Sequence, residues 1–109
     1  MQPLGSAMPD VTIVYWRDIP AQVIVGRGRG GIKRPLPERF EQAIDRCAMR
    51  VGATGTDAYM AEWRKAAPRA VDGTPEQVAE AELARLDAEY DQARLRALVE
   101  RGGWERAEA

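Results

Sequence analysis

Two β-prone runs near the start of the chain constrain its fold more than anything else in it. Val11–Trp16 (VTIVYW) consists wholly of β-branched and aromatic residues. Ala21–Val25 (AQVIV) is a second run of the same kind. Between them, Asp18 can bond its own backbone and Pro20 presets a bend, so the pair reads as a β-hairpin. Alternation puts Val11, Ile13 and Tyr15 on one face and Val14 and Trp16 on the other, so both faces are apolar. A two-stranded ribbon alone is marginal in water. One face must pack on helices, and the other face or the edge must be covered by more of this chain or by another molecule.

The partners for that hairpin come next. Gly26–Arg34 is Gly-rich and basic and reads as a loop. Pro35 and Pro37 then open a helix whose Phe40, Ile44, Cys47 and Val51 fall on one stripe, and Gly52 ends it. Thr56 is the expected N-cap of a short second helix that holds Tyr59, Met60 and Trp63 and ends at Pro68. Arg69–Gly73 is a connector or a short third strand. Thr74-Pro75-Glu76-Gln77 starts a third helix with a capping box. Its stripe of Ala79, Leu83, Leu86, Tyr90, Ala93 and Ala97 implies one helix of roughly seven turns, ended by Gly102 and Gly103. The expected fold is α+β: an N-terminal hairpin, with or without a third short strand, on three helices, the last one long. Residues 1–10 read as a loose tail, 11–103 as a single domain and 104–109 as a frayed end.

Composition narrows the chemistry. The chain has 109 residues, one domain's worth, with room for one core and little for a deep pocket. It contains no histidine, which removes the commonest metal ligand and the usual general base near neutral pH. Its one cysteine, Cys47, cannot form an internal disulfide, and on an apolar stripe it behaves as a small hydrophobe. No stretch is long and apolar enough for a membrane span, and the N-terminus lacks a signal-peptide pattern. A soluble protein of the reducing cytoplasm is expected. No catalytic residue, metal ligand or cofactor site is assigned, and the residue set leans away from an enzyme.

The net charge of -1 hides a polarity. Arg17 to Arg39 holds six bases and two acids, whereas Asp72 to Asp91 holds seven acids and one base. Each end can meet the other or a partner. Gly26–Gly31 matches GxGxxG, but two prolines separate it from the next helix and no βαβ unit surrounds it. The candidate anion-binding residues are Arg27, Arg29, Lys33 and Arg34, reaching a phosphate, an acidic partner or nucleic acid; the bland reading is a solvated loop. Neutral overall charge and a loop without aromatics make nucleic acid the weaker option. Asp87 and Asp91 read as a solvated helix face rather than a metal site, with Asp91–Arg94 and Glu82–Arg85 as i,i+3 pairs. Tyr15, Trp16, Tyr59, Trp63 and Tyr90 read as core or interface. Trp16, Arg17 and Asp18 are the candidate partner-binding residues, because Trp and Arg dominate interface hot spots; the bland alternative is a turn held by Asp18.

Three segments carry a family resemblance. Tyr15–Ile24 (YWRDIPAQVI), Lys33–Asp45 (KRPLPERFEQAID) and Thr56–Trp63 (TDAYMAEW) resemble the small bacterial "virulence factor" domain, also found in conserved virulence factor C proteins. The likeness runs through roughly residues 9 to 100. In longer relatives the domain lies between a NifU-like module and helical repeats, which implies a binding or scaffold role. Stand-alone versions tend to be encoded with methylenetetrahydrofolate reductase-like and corrinoid methyltransferase proteins. The resemblance thus implies an accessory subunit in one-carbon metabolism, and it supplies no catalytic residues. The leading expectation is a non-catalytic adaptor for a larger protein partner, such as a one-carbon-metabolism enzyme. An anion or nucleic-acid binder using loop 26–34 is the alternative. Pairing of uncovered strands into a homodimer is a further expectation.

Overall fold

The computed structural model describes residues 8–26 and 31–105. The hairpin is there: β1 (Asp10–Trp16) and β2 (Ile19–Val25) pair antiparallel, with Val11 opposite Val25 and Ile13 opposite Val23. The tail therefore gives way to strand at Asp10, while the rest of it, residues 1–7, lies outside the described residues. The register shifts between Val14 and Tyr15, leaving Ala21 unopposed as a bulge. Its carbonyl accepts the Leu36 N–H at 3.0 Å, so the bulge helps aim the chain leaving the third strand.

That third strand, β3 (Ile32–Pro35), lies where a loop was expected, because Val25 to Gln22 offer it a paired register. Two further strands line β1: β4 (Trp63–Lys65) and β5 (Arg69–Ala70). The sheet order is β3-β2-β1-β4, with β5 also on β1.

Among the described residues the helices are α1 (Glu38–Val51), α2 (Thr56–Ala61), α3 (Pro75–Glu89) and α4 (Gln92–Glu100). The α+β class holds, and three sequence expectations change in detail. Pro35 closes β3, and Pro37 alone caps α1. Gly55, not Thr56, is the N-cap of α2, which stops at Ala61 rather than Pro68. Trp63 leaves the helix because it pairs with Trp16 across the sheet. The long C-terminal helical segment is interrupted at Tyr90–Asp91. The Tyr90 backbone leaves helical space (φ -110°, ψ 71°), and the Asp91 side chain caps α4 by accepting the Arg94 N–H. Arg39 reaches over from α1 to donate to the Asp87 and Tyr90 carbonyls, both at 2.8 Å, satisfying the end of α3. The break resets the helical phase. Val78, Ala79, Glu82 and Leu86 are buried in α3, and then Leu95, Leu98 and Val99 in α4, while Ala93 is exposed.

The capping box of Thr74 and Gln77 forms as its residues predict. So does the αL stop at Gly52 (φ 76°). Phe40, Ile44 and Cys47 are buried, but Val51, at the frayed end of the stripe, is 37% exposed. Paired across the sheet, Val11, Ile13, Val23 and Val25 form its buried face, and α3 lies across β2 and β3. α1 packs on β2 and α4. On the opposite face Thr12, Val14, Gln22 and Ile24 stay half-buried. Only its end is sealed, by Trp16, which is 0% exposed. Burial pushes the Cys47 thiol up, and Arg17 and Arg50 only partly counter it, as befits a sheltered hydrophobe rather than a nucleophile.

Candidate functional site

The hairpin turn is the tightest construction in the molecule. Arg17 holds φ 55°, the left-handed region, at a cost of about 1 kcal/mol for a residue with a Cβ. Its neighbours hold it there. The Arg17 N–H donates to the Glu62 carbonyl at 3.0 Å, and its guanidinium donates to the Gly102 carbonyl at 2.7 Å and to the Glu62 carboxylate at 3.3 Å. The same group lies between the rings of Trp16 and Trp104, 5.3 and 5.2 Å from their centroids. Its Nε alone is buried with no hydrogen-bond partner among the described residues. Asp18 is equally engaged. Its carboxylate accepts from Arg64 at 2.8 Å and from the Glu105 N–H at 2.7 Å, and its own N–H donates to Gly103. Trp16 donates its indole N–H to the Tyr59 carbonyl at 2.9 Å.

This corner joins the hairpin, the α2–β4 connection and the C-terminal segment. Residues 104–105 are thus packed rather than frayed, and 106–109 lie outside the described residues. The partner-binding candidates Trp16, Arg17 and Asp18 thus meet in this corner, where Asp18 holds the turn as the alternative reading had it. Trp16 is fully buried, the Arg17 side chain is 17% exposed, and their polar groups bind the chain's own backbone.

The anion-binding candidates do not converge either. Arg27 and Arg29 lie outside the described residues. Lys33 and Arg34 are consecutive in β3, so they face opposite sides of the sheet. Arg34 donates to the neighbouring Lys33 carbonyl at 3.3 Å. Of the carboxylates, Asp87 pairs with Arg39 and Asp91 caps α4. Glu82 is buried and accepts from both Arg85 and Arg69, tying α3 to β5. Burial pushes its carboxyl up, but those two guanidinium groups outweigh burial and leave it below the usual carboxylate value. Among the described residues no three Cys, Asp or Glu side chains gather as a metal site, and no helix is long and apolar enough to cross a membrane.

A different surface has groups left over. Tyr59, on α2, stands 5.9 Å from the Trp16 ring and 5.9 Å, edge-on, from the Trp63 ring. On one side of it a cleft of about 250 Å³ runs between the sheet and α1, lined by Gln22, Leu36, Glu41, Ile44 and Trp63. On the other side a shallower cleft is lined by Asp45, Ala48, Met49 and Ala53. Met49 and Met60 are 73% and 58% exposed. Glu41 lines the first cleft with Tyr59 and Asp45 the second. Burial pushes the Tyr59 hydroxyl up, Asp45 and Glu41 push it further, and a hydrogen bond with Trp63 only partly counters them. Neither carboxylate has a hydrogen bond or ion pair among the described residues. Tyr59 and Trp63 were visible in the sequence as core or interface and Met60 only as a member of the same short helix; Met49 and these two acids were not singled out.

A family model described as "Virulence factor" matches residues 14–99. The match covers most of the chain, and the chain belongs to that family, as its YWRDIPAQV segment led one to expect. No curated protein and no solved structure matches it.

Proposed function

We propose that this member of the virulence factor family is a non-catalytic accessory module, and that it docks a larger protein partner through the surface centred on Tyr59. One observation carries the reading: an aromatic ring between two clefts lined by exposed Met49 and by Glu41 and Asp45, acids unpaired among the described residues, with exposed Met60 next to Tyr59 on α2. Exposed methionines adapt to an apolar partner, and aromatic side chains dominate binding energy at interfaces. A cleft of about 250 Å³ takes one large apolar side chain rather than a cofactor. The occupant is therefore a segment with an aliphatic or aromatic anchor next to Lys or Arg, whose cations meet Glu41 and Asp45. The sheet edges favour this surface over strand-edge dimerisation. β3 exposes Lys33 and ends on Pro35, and β4 has three residues, devices that discourage pairing.

The family resemblance directs the search for that partner to one-carbon-metabolism enzymes. Capture from native cells with wild-type protein and with M49S/M60S/Y59A, followed by binding of the purified partner, tests the reading. The triple variant should bind at least about tenfold more weakly. Equal binding by both proteins, or light scattering that finds a strand-paired dimer, would remove the reading.

A further inference from the structure

α1 has a second flank, opposite in charge to the first. Glu41 and Asp45 face Tyr59, whereas Arg39, Gln42 and Arg46 recur at steps of three and four along the side next to α4. From α4, Gln92 and Arg96 reach the same groove, whose volume is about 400 Å³ and whose floor is the buried Ala43 and Leu95. Among the described residues no carboxylate lines it. We propose that the α1–α4 groove binds a compact phosphate monoester, with Arg46 and Arg96 as the two guanidinium ligands and the Gln42 and Gln92 amides as neutral donors.

The case begins with how the other arginines are employed. Arg17, Arg39, Arg64, Arg69, Arg85, Arg94 and Arg101 sit in ion pairs, Arg34 bonds only the Lys33 carbonyl, and Arg50, outside the groove, has no ion pair among the described residues. Arg46 and Arg96 have neither an ion pair nor a hydrogen bond among the described residues, yet they share one groove. Arg39, at its end, keeps Asp87 as its counter-ion and points its terminal nitrogens at the end of α3, so it shapes the groove and leaves the anion to the other two. Like charges held in one cleft repel until an anion neutralises them. A carboxylate brings one negative charge and can satisfy one fork. A phosphate monoester brings close to two at pH 7, and its three terminal oxygens can accept from both forks and from the amides. Guanidinium groups match phosphate oxygens in pairs in a way that ammonium groups do not. The groove is larger than a bare phosphate needs, which leaves space for a small ester body. The ligand class resembles the one foreseen for loop 26–34, but the groups that converge are on helices whose ends and packing hold them in place.

Nitrogen-15 NMR of the whole chain, titrated with inorganic phosphate and with glycerol 3-phosphate at constant ionic strength, tests this. Saturable shifts are expected at the Gln42 and Gln92 side-chain amides and at the Arg46 and Arg96 Nε–H groups, tighter for the ester. R46Q/R96Q should weaken binding at least about tenfold, and each single variant several-fold, while K33Q/R34Q leaves it unchanged. All four arginine and lysine side chains replaced are at the surface or half-exposed, so the melting temperature serves as the control for folding. Shifts that chloride reproduces, or R46Q/R96Q binding as wild type does, would overturn the site. A single-stranded RNA oligomer that binds here with a steep salt dependence while the ester does not would replace the small ligand with nucleic acid.

Discussion

The Trp16–Arg17–Asp18 corner and the Tyr59 surface are built from similar residues and end in opposite conditions. At the corner a Trp, an Arg and an Asp meet the backbone of three other segments, and their polar groups bind within the chain. At the Tyr59 surface a Tyr, Met49 and two acids line clefts, and the acids are without partners among the described residues. Residue type alone marks both as hot spots. What separates them is whether neighbouring strands and loops have already satisfied the side chains. A Trp with its indole N–H bonded and its ring buried has little left for another molecule.

The contrast can be broken by mutation, and the largest effect should come from the corner. Trp16→Ala empties a fully buried site and removes the indole bond to Tyr59, so it should destabilise the protein by about 3–5 kcal/mol in urea unfolding. A loss under about 1 kcal/mol would mean that the corner is looser than its geometry. Gly103→Ala comes next. Gly103 has φ 89°, and a Cβ there would stand 3.1 Å from Arg17 Cδ and 3.2 Å from Cys47 Sγ. The strain of that backbone and those contacts should cost about 2 kcal/mol in the same measurement.

Glu82 sharpens the comparison among carboxylates, since it is engaged where Glu41 and Asp45 have no partner among the described residues. Glu82→Gln should cost roughly 1–3 kcal/mol at neutral pH, as hydrogen bonds to charged partners are lost. Its carboxyl lies below the ordinary value in the folded chain. The stability it contributes is therefore present above the unfolded carboxylate range and lost as pH falls through the lower folded value. Wild type should lose stability more steeply than Glu82→Gln between about pH 5 and pH 3, followed by denaturant midpoints. The smallest effect belongs to the open surface. M49S/M60S should change stability by less than about 0.5 kcal/mol, because both side chains are mostly in water, while weakening partner binding. A large loss of stability would show that these methionines serve the fold.

Some of this molecule could be read residue by residue. The hairpin follows from two β-branched runs, the start of α3 from Thr74 and Gln77, and the end of α1 from Gly52. The charge polarity of α1, with Glu41 and Asp45 on one flank and Arg39 and Arg46 on the other, was not singled out in the sequence, because only the packing of α4 and Tyr59 shows what each flank faces. β3 and β4 were not legible, because short charged strands form only where a longer strand offers its edge. The break at Tyr90 could not be seen either. It rests on Arg39, 51 residues away in sequence, supplying donors to carbonyls at the end of α3.

By itself the sequence determined a few local events: the hairpin strands, the start of α3, the end of α1, which stripe of α1 is apolar, and a family matched over residues 14–99. Propensity, capping and periodicity act within a few residues, so they can be read from neighbours. Only the tertiary structure decided that the Trp16 corner is sealed and that the two flanks of α1 are open. Whether a charge or a ring is satisfied depends on groups brought beside it from distant parts of the chain, and hydrogen bonds and burial at those contacts decide what a surface has left to offer.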